Sequence, residues 1–245
     1  TFDAMADRLQ ANDVARRNLA ADIAHELRTP LTLLQGGCEE VIDGLSEPTV
    51  EHFVQMHDDV LRLRRLVDDL GALAAADAVL AGPGLDLQPC DLADVAATAI
   101  DAIQPLADAN QHRVVRDLAP AAIVADPVRL GQVVTNLLTN AIKFTPAGGT
   151  VHVSVHRDDA TGAATLMVAD DGPGIPAADR AHVFERFYRG QASRTTAGSG
   201  IGLAVVEQLV KAHGGTVVLL PAQEGACFAV TLPAAPASRY DPVVQ

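Results

Sequence analysis

A change of period part-way along the chain restricts the fold more than any other feature. Ala20, Ala24, Leu27, Leu31, Leu34, Cys38, Val41 and Leu45 recur at steps alternating between four and three residues. Phe53, Met56, Val60, Leu63, Val67 and Leu70 repeat the alternation. Such a repeat lays apolar side chains along one stripe of a helix, which is buried by packing knobs into holes against other helices. Between the two runs, Asp43-Gly44-Leu45-Ser46-Glu47-Pro48 carries Gly and Pro stop signals, with Ser46 as candidate N-cap for the second helix. The pattern predicts an antiparallel helical hairpin. Two helices cover little of either stripe, so pairing of two hairpins into a dimeric four-helix bundle is the expected state, with docking onto the rest of the chain as the alternative.

After about residue 77 the period changes. Residues 78–90, with Gly82-Pro83-Gly84 and Pro89, read as a linker between domains. Beyond it, helical stretches fall near 91–109, 127–143 and 200–213, and strand-like ones near 112–117, 150–157, 164–169, 216–220 and 226–232. Asp126 can cap the helix that starts with Pro127. One sheet's worth of strands among helices predicts an α/β sandwich over 91–233, followed by a loose tail at 234–245. Aromatic residues make up 3% of the chain and Trp is absent, so both cores must be built from Ala, Leu, Val and Ile.

Charge and cysteine usage narrow the classes of partner. The 18 basic and 31 acidic side chains give a net charge of −13, which argues against coating nucleic acid or anionic lipid. Cys38, Cys90 and Cys227 form no C-x-x-C pair and read as buried free thiols of a reducing compartment. No run approaches about 18 uninterrupted apolar residues, so this segment is expected not to span a membrane. The chain opens directly on a helical pattern, as a piece of a longer protein would.

The first helix carries Asp22-Ile23-Ala24-His25-Glu26-Leu27-Arg28-Thr29-Pro30. With Ala24 and Leu27 on the stripe, His25 lies on the outer, wet face, and Thr29 stacks beside it four residues on. Pro30 falls inside the helical pattern, where a proline costs about 3 kcal/mol and kinks the helix. The run His25-Glu26-Leu27-Arg28-Thr29-Pro30-Leu31 resembles the phosphoacceptor box of two-component sensor histidine kinases. The resemblance implies that a ring nitrogen of His25 attacks the γ-phosphate of ATP and that Glu26 orients the imidazole. It also implies that Thr29 places water for dephosphorylating the partner.

Four further clusters follow in that family's order. Asn136, Asn140 and Lys143 share one helix face and, with Phe144, lie in Asn136-Leu137-Leu138-Thr139-Asn140-Ala141-Ile142-Lys143-Phe144-Thr145-Pro146, which resembles the N box. Their amide oxygens suit a hard Mg2+ ion and the ammonium suits phosphate, so Asn140, with Asn136 alongside, is the expected metal site. Asp170-Asp171-Gly172-Pro173-Gly174-Ile175 resembles the first glycine box. There the resemblance makes Asp170 the acceptor for the adenine amino group, and Gly172, Gly174 and Ile175 nucleotide contacts. A dinucleotide fingerprint is rejected, because Pro173 and Pro176 remove amide donors.

Phe184-Glu185-Arg186-Phe187-Tyr188-Arg189 resembles the F box. Residues 180–194 hold four Arg against one Glu, and Arg189, with Tyr188 beside it, is the candidate γ-phosphate contact. Gly198-Ser199-Gly200-Ile201-Gly202-Leu203 resembles the second glycine box, whose glycines admit phosphate close to a helix N-terminus. The stretch 190–197 between them reads as a nucleotide lid.

The order of the five clusters covers nearly the whole chain. The resemblance therefore implies a kinase core using ATP and Mg2+: a signalling-linker end at 1–14, a dimerising phosphotransfer hairpin at 15–77, and a Bergerat-type ATP-binding domain at 91–233. It implies a homodimer, a response-regulator receiver domain as partner, a cytoplasmic segment, and a full-length protein anchored in the cell membrane through what precedes Phe2, Met5 and Leu9. Two rival readings share parts of this pattern. Related ATPases place a Glu where this chain has Asn136, which cannot act as a general base. A nucleotide-binding phosphatase-only or scaffold module is the remaining alternative. Ala226 stands where the family often has a hydroxyl residue. His152 and His156 alternate with Val151, Val153 and Val155 on a strand, about 13 Å apart, and are expected on its wet face rather than at a metal.

Overall fold

The structure, a computed structural model, describes residues 23–24, 27–45, 47–81, 84–190, 198–222 and 224–234 of the 245. His25 and Glu26, the upstream pattern at Phe2, Met5 and Leu9, and most of the expected lid lie outside the described residues. The chain divides into two compact units, and the break between Gly71 and Ala72 falls inside one continuous helix.

The first unit is the hairpin. Helix α1 is the stretch 27–42, and α2 is Val50–Ala81, 32 residues long. The turn follows from Gly44, which adopts φ 71°. Its N–H donates to the Val41 carbonyl (3.2 Å) while that of Leu45 reaches back to Glu40 (2.9 Å), the paired bonds by which a left-handed glycine closes a helix. Thr49 starts α2, its Oγ1 accepting the His52 N–H at 3.3 Å, whereas Ser46, the cap expected from sequence, lies outside the described residues. The helices meet at Gly37, where a Cβ would lie 3.8 Å from Met56 Cγ.

Within one chain the stripe is only half covered. Leu27, Leu34, Val41, Met56, Leu63 and Leu70 are half-buried, but Leu31, Phe53, Val60 and Val67 remain 51–59% exposed. Cys38 shares the uncovered positions and is exposed, which corrects the expectation of three buried thiols; of the three cysteines, only Cys227 is buried.

The second unit is a sheet with one layer of helices. In chain order it holds β1 (Gln88–Asp91), α3 (Leu92–Ala109), β2 (Arg113–Leu118), β3 (Ala122–Ala125), α4 (Pro127–Phe144), β4 (Thr150–Arg157), β5 (Ala164–Asp170), α5 (Gly202–Ala212), β6 (Thr216–Leu220) and β7 (Cys227–Leu232). The main sheet has the order β2-β4-β5-β7-β6, parallel only between β2 and β4. Alternation decides its faces: Val151, Val153 and Val155 are 0–1% exposed while His152 and His156, which alternate with them, face outward, as expected. On α4, Leu130, Val133, Val134, Leu137 and Leu138 are likewise 0–1% exposed. Each such side chain contributes about 1.5–3 kcal/mol by leaving water.

Two expectations from sequence are revised. Helix α2 continues to Ala81, and the supposed linker ends in a strand, since Gln88–Asp91 pairs antiparallel with β3. Pro89 is tolerated there because a two-stranded ribbon has free edges. The last part of α2 belongs to the second unit, where Leu73 and Ala76 are buried and Asp77 pairs with Arg186 at 2.7 Å.

Candidate functional site

Helix α4 is set by its caps. Asp126 Oδ1 accepts from Val128 N (3.1 Å) and Arg129 N (3.0 Å), and Pro127 occupies the first helical position, where its missing N–H costs nothing. With Leu137, Leu138, Ala141 and Ile142 buried against the sheet, the opposite side of the helix presents Asn136, Asn140 and Lys143, each half-buried. Asn136 Nδ2 donates to the Gly202 carbonyl at 3.2 Å, which joins the N-box helix to the start of α5 and leaves Oδ1 as an acceptor. Lys143 Nζ lies 4.5 Å from the centroid of the Phe144 ring.

Asp170 ends β5 and is 9% exposed. Its Oδ1 accepts from Gly172 N (2.9 Å) and Ala226 N (3.2 Å). Burial is the largest influence and pushes the carboxyl above its usual range, the two N–H groups pull the other way, and the neighbouring Asp171 adds to the rise. Asp171 has a different task. Its Oδ2 accepts the Thr150 N–H at 2.9 Å and ties the start of β4 to the end of β5.

The first glycine box is shaped by close approach. A Cβ on Gly172 would sit 2.9 Å from the Phe144 carbonyl oxygen and 2.7 Å from Asp170 Oδ1. Asp171 to Pro176, with Arg180, Ala222, Glu224 and Gly225, line an open cavity of about 410 Å³. The F box folds onto the core through Phe184, edge-on to Phe228 at 6.1 Å between centroids. Tyr188 donates its hydroxyl to Asp179 Oδ1 at 2.7 Å, and its ring lies against His182. Phe187 N–H donates to the Gly200 carbonyl at 3.0 Å, so the F and second glycine boxes are joined at backbone level. A Cβ on Gly200 would lie 2.8 Å from the Phe187 carbonyl carbon, and its φ of 74° favours glycine as well.

Helix α5 starts differently from α3 and α4. Those two are capped by aspartates, whereas the N-cap position of α5 is Ile201, with no side-chain cap. Gly202 and Leu203 open the helix and are half-buried; Gly198 and Ser199 group with the first unit. Arg189 is half-buried, as is Ile175 in its box. Thr29 lies on the exposed side of α1.

A metal fits this donor set only in company. Among the described residues no group of three or more His, Cys, Asp or Glu side chains could hold an ion. Neutral amide oxygens at Asn136 and Asn140 suit Mg2+, which takes a few protein oxygens and completes its shell with phosphate and water.

Two residues escaped the sequence reading. His112, 7% exposed, points Nε2 at the carbonyls of Thr145 (3.0 Å) and Pro146 (3.1 Å). Both partners are acceptors, so Nε2 carries the proton, and the bonds pin the end of α4 beyond Lys143 and Phe144. Asp179 holds Tyr188. Neither sits in a motif; His112 acts across 33 residues of sequence, Asp179 across nine within one irregular segment.

Comparison with known proteins bears on this geometry. Residues 15–79 match the His Kinase A (phospho-acceptor) domain family, and residues 125–236 the histidine kinase-, DNA gyrase B- and HSP90-like ATPase family. The chain is 39% identical over 231 residues to the probable sensor histidine kinase TcrY of Mycobacterium tuberculosis, covering 91% of this chain and 47% of that protein. It is 36% identical over 225 residues to the signal transduction histidine-protein kinase/phosphatase MprB of Mycolicibacterium smegmatis, covering 88% of this chain and 44% of that one. The chain thus spans about half the length of these relatives. Among solved structures, the Acinetobacter baumannii histidine kinase AdeS superposes with a TM-score of 0.68 at 28% identity, over 86% of this chain and 98% of that chain. A helical phosphoacceptor segment followed by an ATPase-type α/β layer, in a chain with these relatives, belongs to the two-component sensor histidine kinase family.

Proposed function

We propose that this chain is a kinase core that phosphorylates its own His25 from Mg-ATP and hands the phosphoryl group to an Asp of a response-regulator receiver domain. The observation that carries the reading is convergence. Motifs far apart in sequence meet through Asn136 with Gly202, Phe187 with Gly200, and Gly172 against Phe144.

In this reading Asp170 accepts the adenine amino group, with Gly172, Gly174 and Ile175 forming the wall beneath it. Asn136 and Asn140 hold Mg2+, which when bound neutralises phosphate charge as the phosphoryl group departs. Lys143, Arg189 and the start of α5 at Ile201, Gly202 and Leu203 face phosphate, and Gly198, Ser199 and Gly200 border the lid. At His25 an N–P bond forms as the bond to the ADP oxygen breaks, and Glu26 orients the ring. Thr29, exposed one turn further on, orders water for the reverse task of dephosphorylating the regulator; the relative MprB carries both activities in its name.

The half-covered stripe supports a homodimer, because a second hairpin would bury Leu31, Phe53, Val60 and Val67. The domain map belongs to the same reading: linker end at 1–14, hairpin at 15–77, a connection at 78–90 that takes in the end of α2 and most of β1, ATP-binding domain at 91–233, tail at 234–245. Among the described residues no helix is long and apolar enough to cross a membrane. Anchoring of the full-length protein in the cell membrane, with this segment cytoplasmic, completes the proposal.

A paired experiment tests it. With Mg-ATP labelled at the γ-phosphate, His25→Gln is expected to bind nucleotide as the parent chain does and to take up no label. Label retained by His25→Gln would remove the phosphoacceptor assignment.

A further inference from the structure

Helices α4 and α5 run antiparallel, and α5 is linked to α4 at both of its ends. At the end that carries the boxes, Asn136 Nδ2 donates to the Gly202 carbonyl. At the far end the backbone N–H of Asp126 donates to Nε2 of His213, the C-cap residue of α5, at 3.1 Å. The other ring nitrogen, Nδ1, lies 2.7 Å from the Leu209 carbonyl, an acceptor. These two bonds require one ring state: neutral, with the proton on Nδ1 and the lone pair on Nε2. Asp126 is 8% exposed and is a hub. Besides capping α4 through Oδ1, it accepts the Asp86 N–H on Oδ2 at 3.2 Å, so the segment leading into β1 is tied to the same point.

We propose that His213 is a positioning residue for the nucleotide site: neutral, it locks the far ends of α4 and α5 together; protonated, it releases them and lowers ATP affinity. A proton on Nε2 would set two donors against each other at the Asp126 amide. Helix α5 is 11 residues long, about 16 Å, with Ala204, Val205, Val206, Leu209 and Val210 buried, so a shift at His213 is carried along it to Ile201, Gly202 and Leu203.

Burial acts most strongly and disfavours the charged ring; the Leu209 carbonyl and then the Asp126 carboxylate favour it, and the net direction is downward from the ordinary histidine value. On the ring's own helix, Lys211 is paired with Glu207 at 2.8 Å, and Asp86 reaches Asp126 through its backbone rather than its carboxylate. Arg129, in the first turn of α4, donates its backbone N–H to Asp126.

The inference rests on the proposed nucleotide site, and the test separates the two. A non-hydrolysable ATP analogue with Mg2+ is titrated into the 245-residue chain from pH 7.5 to 5.5, beside His213→Gln, whose amide does not titrate. The affinity of the parent chain is expected to fall by three- to tenfold more than that of the variant over this range. Parallel profiles would overturn the inference and leave the nucleotide site standing; absence of binding at pH 7.5 would overturn both. A second measurement needs no variant. Because linkage is reciprocal, the pH midpoint of the His213 ring, followed by NMR, must move down when the analogue is bound. An unmoved midpoint would overturn the inference even if His213→Gln fails to fold.

Discussion

The carboxylate of Asp170 accepts the backbone N–H of Ala226 at 3.2 Å, so the last residue of β5 is held by the residue that leads into β7. The same oxygen takes the Gly172 amide at 2.9 Å. Asn at this position keeps an oxygen for both donors and carries no charge. Burial raises the Asp170 pKa, so its folded value lies above its unfolded one. Its contribution to stability is complete below the unfolded value of 3.8 and is lost as pH rises through the folded value. Asp170→Asn is therefore expected to melt no lower than the parent at pH 7, while its affinity for ATP falls by about tenfold or more, roughly 1.4 kcal/mol. Thermal melts and a nucleotide titration check the two halves; unchanged affinity would remove the adenine role.

Asp171 is the contrast. Asp171→Ala removes the acceptor for the Thr150 amide, a bond worth about 1 kcal/mol. Stability is expected to fall by that order with ATP affinity little changed. A loss of affinity exceeding that of Asp170→Asn would reverse the two roles.

Two glycines should respond in opposite senses. Gly225 adopts φ 69°, and a Cβ there would lie 1.5 Å from the Asp170 carbonyl oxygen. Gly225→Ala is expected to cost more than about 2 kcal/mol of stability, since the backbone itself must move. Gly131, inside α4 with nothing within 4 Å of its Cβ position, is the control: Gly131→Ala should stabilise by about 0.5–1 kcal/mol. Denaturant midpoints report both.

The pH dependence of the second unit follows from His213. Its folded pKa is depressed below the ordinary 6.5, so its contribution to stability is complete above that value and lost as pH falls through the folded pKa. The parent chain is expected to lose more stability between pH 7 and pH 5 than His213→Gln does. Equal losses in denaturant titrations at the two pH values would contradict this.

Elements were legible in the sequence where a period ran long enough. The boundaries of α4 and β4 follow almost residue for residue from the Asp126-Pro127 start and from the Val151-Val153-Val155 alternation. The ribbon of β1 and β3 was missed because four residues hold no readable period and Pro89 argues locally against a strand. The boxes named most of the candidate site, since their glycines and amides recur at fixed offsets. His112 and the pairing of Asp126 with His213, 87 residues apart, were not legible, because each depends on distant chain segments brought together by the fold, and Asp179, nine residues from Tyr188, lies in an irregular segment with no readable period. Cys38 was misread for a related reason: a heptad position states that a face is to be covered, not that one chain covers it.

The central claim is phosphoryl transfer to a histidine, and the chemistry of the product tests it most directly. The 245-residue chain is incubated with Mg2+ and ATP labelled at the γ-phosphate, then challenged with acid and with alkali. The expected label is acid-labile, alkali-stable and confined to the peptide containing His25. Acid-stable label, or release of inorganic phosphate with no labelled protein, would contradict the assignment of a histidine kinase.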